Sequence, residues 1–232
     1  MSTIATICAR GGSQGLPGKN VKLLLGKPLI VYTIEQALLC PEIDYVFVST
    51  DDQKIADIAK EAGAEVPFIR PETLSTNTAA KLPVIKHLVD WIVNSGVEVT
   101  KIVDLDPTSP LRNVSDITAC INKFHDDVDV VITGYIADKN PYFNMVEKSK
   151  DKGFVLVKSL KNKVTSRQQA PEVFAMNASI YVWSIDSFKL GLFDGLVLLH
   201  EMPRERSIDV DSLIDFKLVE ILLKEKMSNV KC

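Results

Sequence analysis

Short, nearly continuous apolar runs alternate along the chain with longer stretches in which apolar residues recur every three or four positions. The runs at Thr3–Cys8, Tyr45–Ser49, Val66–Ile69, Thr100–Leu105, Val128–Thr133 and Ala178–Trp183 predict strands buried on both faces. Helical spacing predicts helices over Pro28–Leu39, Gln53–Ala62, Thr78–Asn94 and Asp116–Phe124. A last helix is expected over Asp211–Lys224, with Leu213, Phe216, Leu218, Val219 and Leu222 on its apolar side. The punctuation agrees. Pro28 suits a first helical turn, Thr50-Asp51-Asp52 supplies cap residues, and Gly63 can end the second helix. Such alternation implies an α/β fold with a mostly parallel sheet covered on both faces.

The rhythm breaks between Ala137 and Ala175. Asn140-Pro141-Tyr142-Phe143-Asn144, a charged turn at Lys148–Lys152 and Val164–Pro171 suggest hairpins and an exposed arm. The chain is therefore read as one domain, 1–232, with 137–176 as a protruding subdomain. In parallel sheets ligands gather at the carboxyl ends of strands. The polar segments 9–20, 70–78 and 106–112 all follow predicted strands, so they should converge on one crevice.

Composition narrows the choices. With 232 residues, 46% of them hydrophobic, the chain can bury a sizeable core. A net charge of −3, from 27 basic and 30 acidic residues, argues against a general nucleic-acid binder. Met1-Ser2-Thr3-Ile4 lacks the basic flank and apolar run of a signal peptide, and no run approaches the roughly 18 apolar residues of a membrane span. Cys8, Cys40, Cys120 and Cys232 have no Cys-x-x-Cys spacing and read as thiols, which suits a reducing, cytoplasmic setting. His87, His125 and His200 have no metal spacing, and Ser109 and Ser179 lack a His partner for nucleophilic hydrolysis.

Two stretches carry chemistry. After the first strand comes a loop with Gly11, Gly12, Gly15 and Gly18 together with the cations Arg10 and Lys19. Glycines let successive N–H groups converge into an anion-binding concavity, and the cations suit a polyphosphate. The spacing is neither that of a P-loop, since Ser13 stands five before Gly18 and Asn20 follows Lys19, nor that of a dinucleotide fingerprint, since no Gly-x-Gly occurs. The second stretch is Asp209-Val210-Asp211, just before the last helix. An extended backbone puts both carboxylates on one face, a pairing that suits magnesium. On residue pattern alone Asp211 could equally cap the helix, with Asp209 solvated and Asp215 on the surface.

The motifs Ala9-Arg10-Gly11-Gly12-Ser13-Gln14-Gly15, Lys19-Asn20 and Gly26-Lys27-Pro28-Leu29-Ile30 resemble the start of a sugar nucleotidyltransferase. Within that group the chain is most similar to the cytidylyltransferases that activate sialic acids and related nine-carbon acids. The similarity extends over nearly the whole chain. It implies a Rossmann-like three-layer α/β/α nucleotidyltransferase domain with a small dimerisation arm. It also implies that Arg10, Gly11, Gly12, Ser13, Gly15, Lys19, Asn20, Arg70 and Thr78 bind the nucleotide CTP, and that Asp209 and Asp211 hold magnesium or, as an alternative, manganese. Arg10, Lys19, Asp209 and Asp211 would be the catalytic set, the cations neutralising the leaving pyrophosphate. By the same resemblance Asp106, Thr108, Ser109, Arg112, Arg167, Gln168, Asn177 and Tyr181 contact the sugar.

Four positions depart from the family pattern: Asp106 stands for Gln, Asn77 for Asp, Ala178 for Gly and Ser179 for Ala. A carboxylate at 106 only accepts hydrogen bonds and would repel an acidic sugar nearby. With Asp104-Leu105-Asp106, Asn140–Met145 and Ser166-Arg167-Gln168, these departures look most like the subgroup acting on legionaminic acid, with neuraminic acid close behind. Arg167-Gln168 would sit on an arm that crosses to a neighbouring subunit, which implies a homodimer. Partners other than CTP and a nonulosonic acid, such as nucleic acid or membrane, are not expected. The alternatives are a cytidylyltransferase for pseudaminic acid or for the eight-carbon lipopolysaccharide keto acid, and a non-catalytic nucleotide-binding regulator.

Overall fold

The computed structural model describes residues 1–162 and 164–229, with the side chain of Asn229 left aside; Cys232 lies outside them. The central sheet is built from β1 (Ser2–Cys8), β4 (Tyr45–Ser49), β5 (Val99–Leu105), β6 (Val130–Ile136), β9 (Phe174–Ser184) and β10 (Val197–Glu201). The remaining strands form two small antiparallel pairs, β2 (Leu23–Leu24) with β3 (Lys27–Pro28) and β7 (Val146–Ser149) with β8 (Gly153–Leu156). The central order is β10-β6-β9-β5-β1-β4, and only β9 runs against its neighbours.

Alternation along the strands sorts the core into two layers. Ala5 and Ile7 of β1 face α1 (Leu29–Leu38), α2 (Gln53–Glu61) and α4 (Val114–Lys123), through Ile30, Ile34, Ile55, Ala59, Ile117 and Ile121. Ile4 and Ile102 face the opposite way, onto Ile85, Leu88 and Ile92 of α3 (Lys81–Asn94). Helices thus cover both faces, giving three layers. Each fully buried aliphatic side chain contributes roughly 1.5–3 kcal/mol. A third cluster seats α5 (Leu213–Asn229) through Phe216, Val219 and Leu223 against Leu16, Leu24, Leu29 and Leu111.

Several elements differ from expectation. Val66–Ile69 makes only isolated parallel bridges at its borders, Phe47 with Glu65 and Thr50 with Ile69; Pro67 has no N–H to give a ladder. The third helix starts at Lys81 rather than Thr78, leaving residues 78–80 in a loop that follows the turn at Glu72–Leu74. β10 was not anticipated, because its short run follows β9 with no intervening helix to announce it. Leu213 and Leu218 of α5 are exposed, and the buried stripe runs through Phe216, Val219 and Leu223 instead. The break after β6 does hold a hairpin, β7–β8.

The arm is rooted where β6 and β9 slip register between Ile132 and Gly134. On β9, Ala178 takes the left-handed conformation, φ 53°. Glycine adopts that conformation freely, whereas an alanine there costs about 1–2 kcal/mol, so the Ala178 departure is a strained one.

Candidate active site

The glycine-rich loop leaves β1 and is tied down at both ends. The Ala9 N–H donates to the Ser49 carbonyl at 3.0 Å, and Asn20 Nδ2 donates to the Arg10 carbonyl at 3.0 Å. Gly15 is required by packing: a Cβ there would lie 2.3 Å from the Asp211 carbonyl oxygen. The loop therefore lies directly on the Asp209-Val210-Asp211 segment. Gly18, at φ 65°, turns the chain so that Lys19 points back across it. Lys19 Nζ donates to the Val210 carbonyl at 2.9 Å and to Asp211 Oδ1 at 2.8 Å.

The aspartate segment is held by its middle residue. Val210 is fully buried in the α5 cluster, and its N–H donates to the Thr108 carbonyl at 2.9 Å. The helix cap is made by other residues. The Ser212 N–H donates to Asp215 Oδ2 at 2.8 Å, and the Asp215 N–H donates back to Ser212 Oγ at 3.3 Å, a reciprocal box. Asp215, expected on the surface, is thus the capping partner, and the Asp211 carboxylate is left 74% exposed and facing Lys19. Asp209 differs from its neighbour. Burial, then the charges of Asp106 and Asp211, push its carboxyl up to about 6, and its Oδ1 is buried without a hydrogen-bond partner. A buried, unsatisfied carboxylate oxygen beside an open carboxylate fits a divalent cation. Among the described residues no three His, Cys, Asp or Glu side chains converge, so the chain would supply two oxygen ligands and leave the rest to substrate and water.

These residues line one crevice of about 350 Å³. Arg10, Ser13, Gly15, Lys19 and Asn20 form one wall, Arg70, Thr76 and Asn77 another, and Asp106, Thr108, Asp209 and Asp211 close it. The three polar segments expected to converge do so. Arg10 Nη1 bonds the Thr76 carbonyl at 3.2 Å and Asn77 Oδ1 at 3.1 Å. An amide at 77 holds Arg10 without cancelling its charge. Arg70 reaches the crevice, but its guanidinium already donates to the Ser49 carbonyl at 3.0 Å and to Ser75 Oγ at 3.1 Å.

Other expected contacts lie elsewhere. Thr78, Gly11 and Gly12 are not among the lining residues; the Gly11 N–H is taken by Asp51 Oδ1 at 3.0 Å. Arg112 is buried behind the crevice, where it donates to Ser179 and to Thr33 Oγ1. Ser109 and Tyr181 are buried beneath the floor. Asn177 is also buried and bonds Thr133 and Ser207. Arg167 and Gln168 line a separate hollow at the base of the arm, where Arg167 Nη2 donates to the Ala137 carbonyl at 3.0 Å.

Among the charged residues that line the crevice, one falls outside the expected set. Lys81, at the start of α3, places Nζ 2.8 Å from Asp104 Oδ2, 3.4 Å from Asp106 Oδ2 and 4.6 Å from the centre of the Tyr181 ring. Burial works against its charge, but the two carboxylates hold it well above the usual lysine range. A signal existed in the sequence. Two aspartates bracketing one buried residue at the end of a buried strand require a cation.

The cytidylyltransferase family profile matches residues 4–205. The post-translational flagellin modification protein B of Campylobacter coli is 38% identical over 98% of this chain and 97% of its own length. The CMP-N,N'-diacetyllegionaminic acid synthase of Campylobacter jejuni is 37% identical over 96% of this chain and 95% of its own. Among solved structures, CMP:2-keto-3-deoxy-manno-octonic acid synthetase complexed with CTP superposes with a TM-score of 0.70 at 18% identity, covering 97% of this chain and 100% of that one. That likeness bears on the fold.

Proposed function

The chain belongs to the cytidylyltransferase family, and from that premise we propose that it transfers the cytidylyl group of CTP to a nine-carbon nonulosonic acid. The acceptor favoured by the Campylobacter jejuni relative is N,N'-diacetyllegionaminic acid, with N-acetylneuraminic acid next on the resemblance of the motifs. The observation that carries the reading is the meeting of Lys19 with Asp211 at 2.8 Å, which joins a phosphate-type loop to a metal-type carboxylate pair in one crevice.

In the proposed reaction the 2-hydroxyl of the sugar acid attacks the α-phosphorus of CTP. The new P–O bond forms as the bond to the bridging oxygen of the β-phosphate breaks, pyrophosphate leaves, and the proton of the sugar hydroxyl is proposed to pass to the Asp209 carboxylate, which lines the crevice. Such transfers depend on positioning and charge neutralisation more than on covalent help. Arg10 and Lys19 face the phosphates and offset the charge of the leaving group. Asp209 and Asp211 would hold a divalent cation, proposed to be magnesium, whose chemistry there is to withdraw charge from the phosphate oxygens. Ser13, Asn20 and the backbone of the glycine loop orient the triphosphate, and Asp106 and Thr108 face the acceptor.

The arm supports a homodimer. Phe154 is 72% exposed and Val146 58%, and Leu156, Phe174 and Met176 are exposed as well. A partner covering that surface would bury it and could bring Arg167 and Gln168 to the neighbouring crevice.

The Asp211→Ala variant tests the metal assignment. Turnover should fall by about a hundredfold or more while the thermal unfolding midpoint stays near that of the parent. Near-normal turnover in magnesium would refute it.

A further inference from the structure

An acidic acceptor poses an electrostatic problem for this crevice. The reacting hydroxyl of the sugar must approach Asp209 and Asp211, and its carboxylate is borne on the adjacent carbon. That carboxylate therefore enters a region lined by Asp106, Asp209 and Asp211. Lys19 is already engaged by Asp211 and the Val210 carbonyl. The remaining lining cation near Asp106 is Lys81, whose side chain is 36% open.

The hydrogen bonds around Asp106 show what Lys81 does there. Asp106 Oδ1 is fixed by the Thr108 N–H at 3.0 Å and by the Thr108 hydroxyl. Its Oδ2 faces Lys81 at 3.4 Å, a looser contact than the 2.8 Å between Lys81 and Asp104. Oδ2 thus keeps lone-pair capacity toward the crevice, and the orientation of the carboxylate is locked. Behind the floor Arg112 adds a second cation, 3.4 Å from the Asp106 carbonyl. Lys81 is the cation paired with both carboxylates, Asp104 and Asp106, whereas Arg112 meets only the backbone of Asp106.

We propose that Lys81 is a specificity-determining residue for the acceptor: it cancels the charge of the Asp104–Asp106 floor so that an acid sugar can enter, and leaves Asp106 Oδ2 as a fixed acceptor for a donor group on that sugar. This rests on the cytidylyl-transfer reading. It accounts for a carboxylate at 106, where an amide would carry no charge and could donate as well as accept.

The test is steady-state pyrophosphate release by the parent, Lys81→Met and Lys81→Met/Asp106→Gln proteins, with the carboxamide of the sugar acid as a charge-free competitive inhibitor. In Lys81→Met the KM for the acid should rise about ten- to a hundredfold, as expected for an uncompensated charge a few ångströms away. The Ki of the carboxamide should stay within about threefold of the parent, since it is uncharged where the acid carries its carboxylate. Removing the Asp106 charge in the double variant should recover part of the loss, since Asp104 still lacks its partner. Equal weakening of acid and carboxamide, or no recovery in the double variant, would overturn the inference. If Lys81→Met does not fold, Lys81→Arg is used, and it must keep the parental preference for acid over carboxamide. A parent that releases no pyrophosphate with CTP and any sugar acid would overturn the underlying reading as well.

Discussion

Lys19, Gly15 and Asp211 form a contact set on which the proposed catalytic geometry depends. Gly15 lies against the backbone of Asp211, where a methyl group cannot be relieved by rotating a side chain. The Gly15→Ala variant should therefore displace the Asp209–Asp211 segment and lower kcat by about tenfold or more, the penalty for misplacing reacting groups by around an ångström. Measuring kcat beside the unfolding midpoint separates this from simple unfolding. At this scale Arg10, Lys19, Asp209 and Asp211 were legible because loop glycines, cations and an Asp-x-Asp segment state their chemistry locally. Lys81 was not, since its meaning depends on Asp104 and Asp106, more than twenty residues later on another element. Arg112 was misleading in the opposite way. The start of its motif, Asp106 to Thr108, lines the crevice, but its own side chain lies behind it, in hydrogen bonds that hold β9 to the floor.

Among the elements, α4 shows how packing and charge fix the frame. Its N-terminus carries a capping box between Asn113 and Asp116, and Asp116 also receives both Arg206 Nε at 3.0 Å and Nη2 at 2.8 Å. Burial opposes ionisation, but His200 and Arg206 hold the Asp116 carboxyl well below the usual carboxylate range. A depressed pKa stabilises the fold fully above the unfolded value near pH 4 and progressively less as pH falls below it. Asp116→Asn should therefore cost about 3 kcal/mol at neutral pH, and the difference from the parent should shrink below about pH 4. Denaturant unfolding at several pH values checks both. Most elements could be read from periodicity, including α1, α2 and the first two sheet strands. The errors fell where context decides. Pro67 denies a ladder to an apolar run, β10 depends on pairing with β6, and the exposed Leu213 and Leu218 lie on a helix whose buried stripe is set by the loop beneath it.

For the whole molecule, five of six central strands run in one direction, the crevice lies past the carboxyl ends of β1 and β5, and β9 returns through the arm. No described helix is long and apolar enough to cross a membrane. The exposed apolar hairpin is proposed to pair two copies. Phe154→Asp should shift the protein from dimer to monomer in sedimentation velocity and reduce turnover, with the unfolding midpoint of the isolated domain little changed. A parent that sediments as a monomer would refute the dimer.

The central claim is cytidylyl transfer to a sugar acid. Its most direct test is pyrophosphate release across a matrix of CTP, UTP, ATP and GTP against N,N'-diacetyllegionaminic acid, N-acetylneuraminic acid, pseudaminic acid and the eight-carbon keto acid, each with magnesium. Release is expected only when CTP and a nine-carbon acid are both present, with one CMP-sugar formed per pyrophosphate and the highest kcat/KM with the legionaminic acid. No release from CTP with any of these acids, or release that does not require an acceptor, would contradict it.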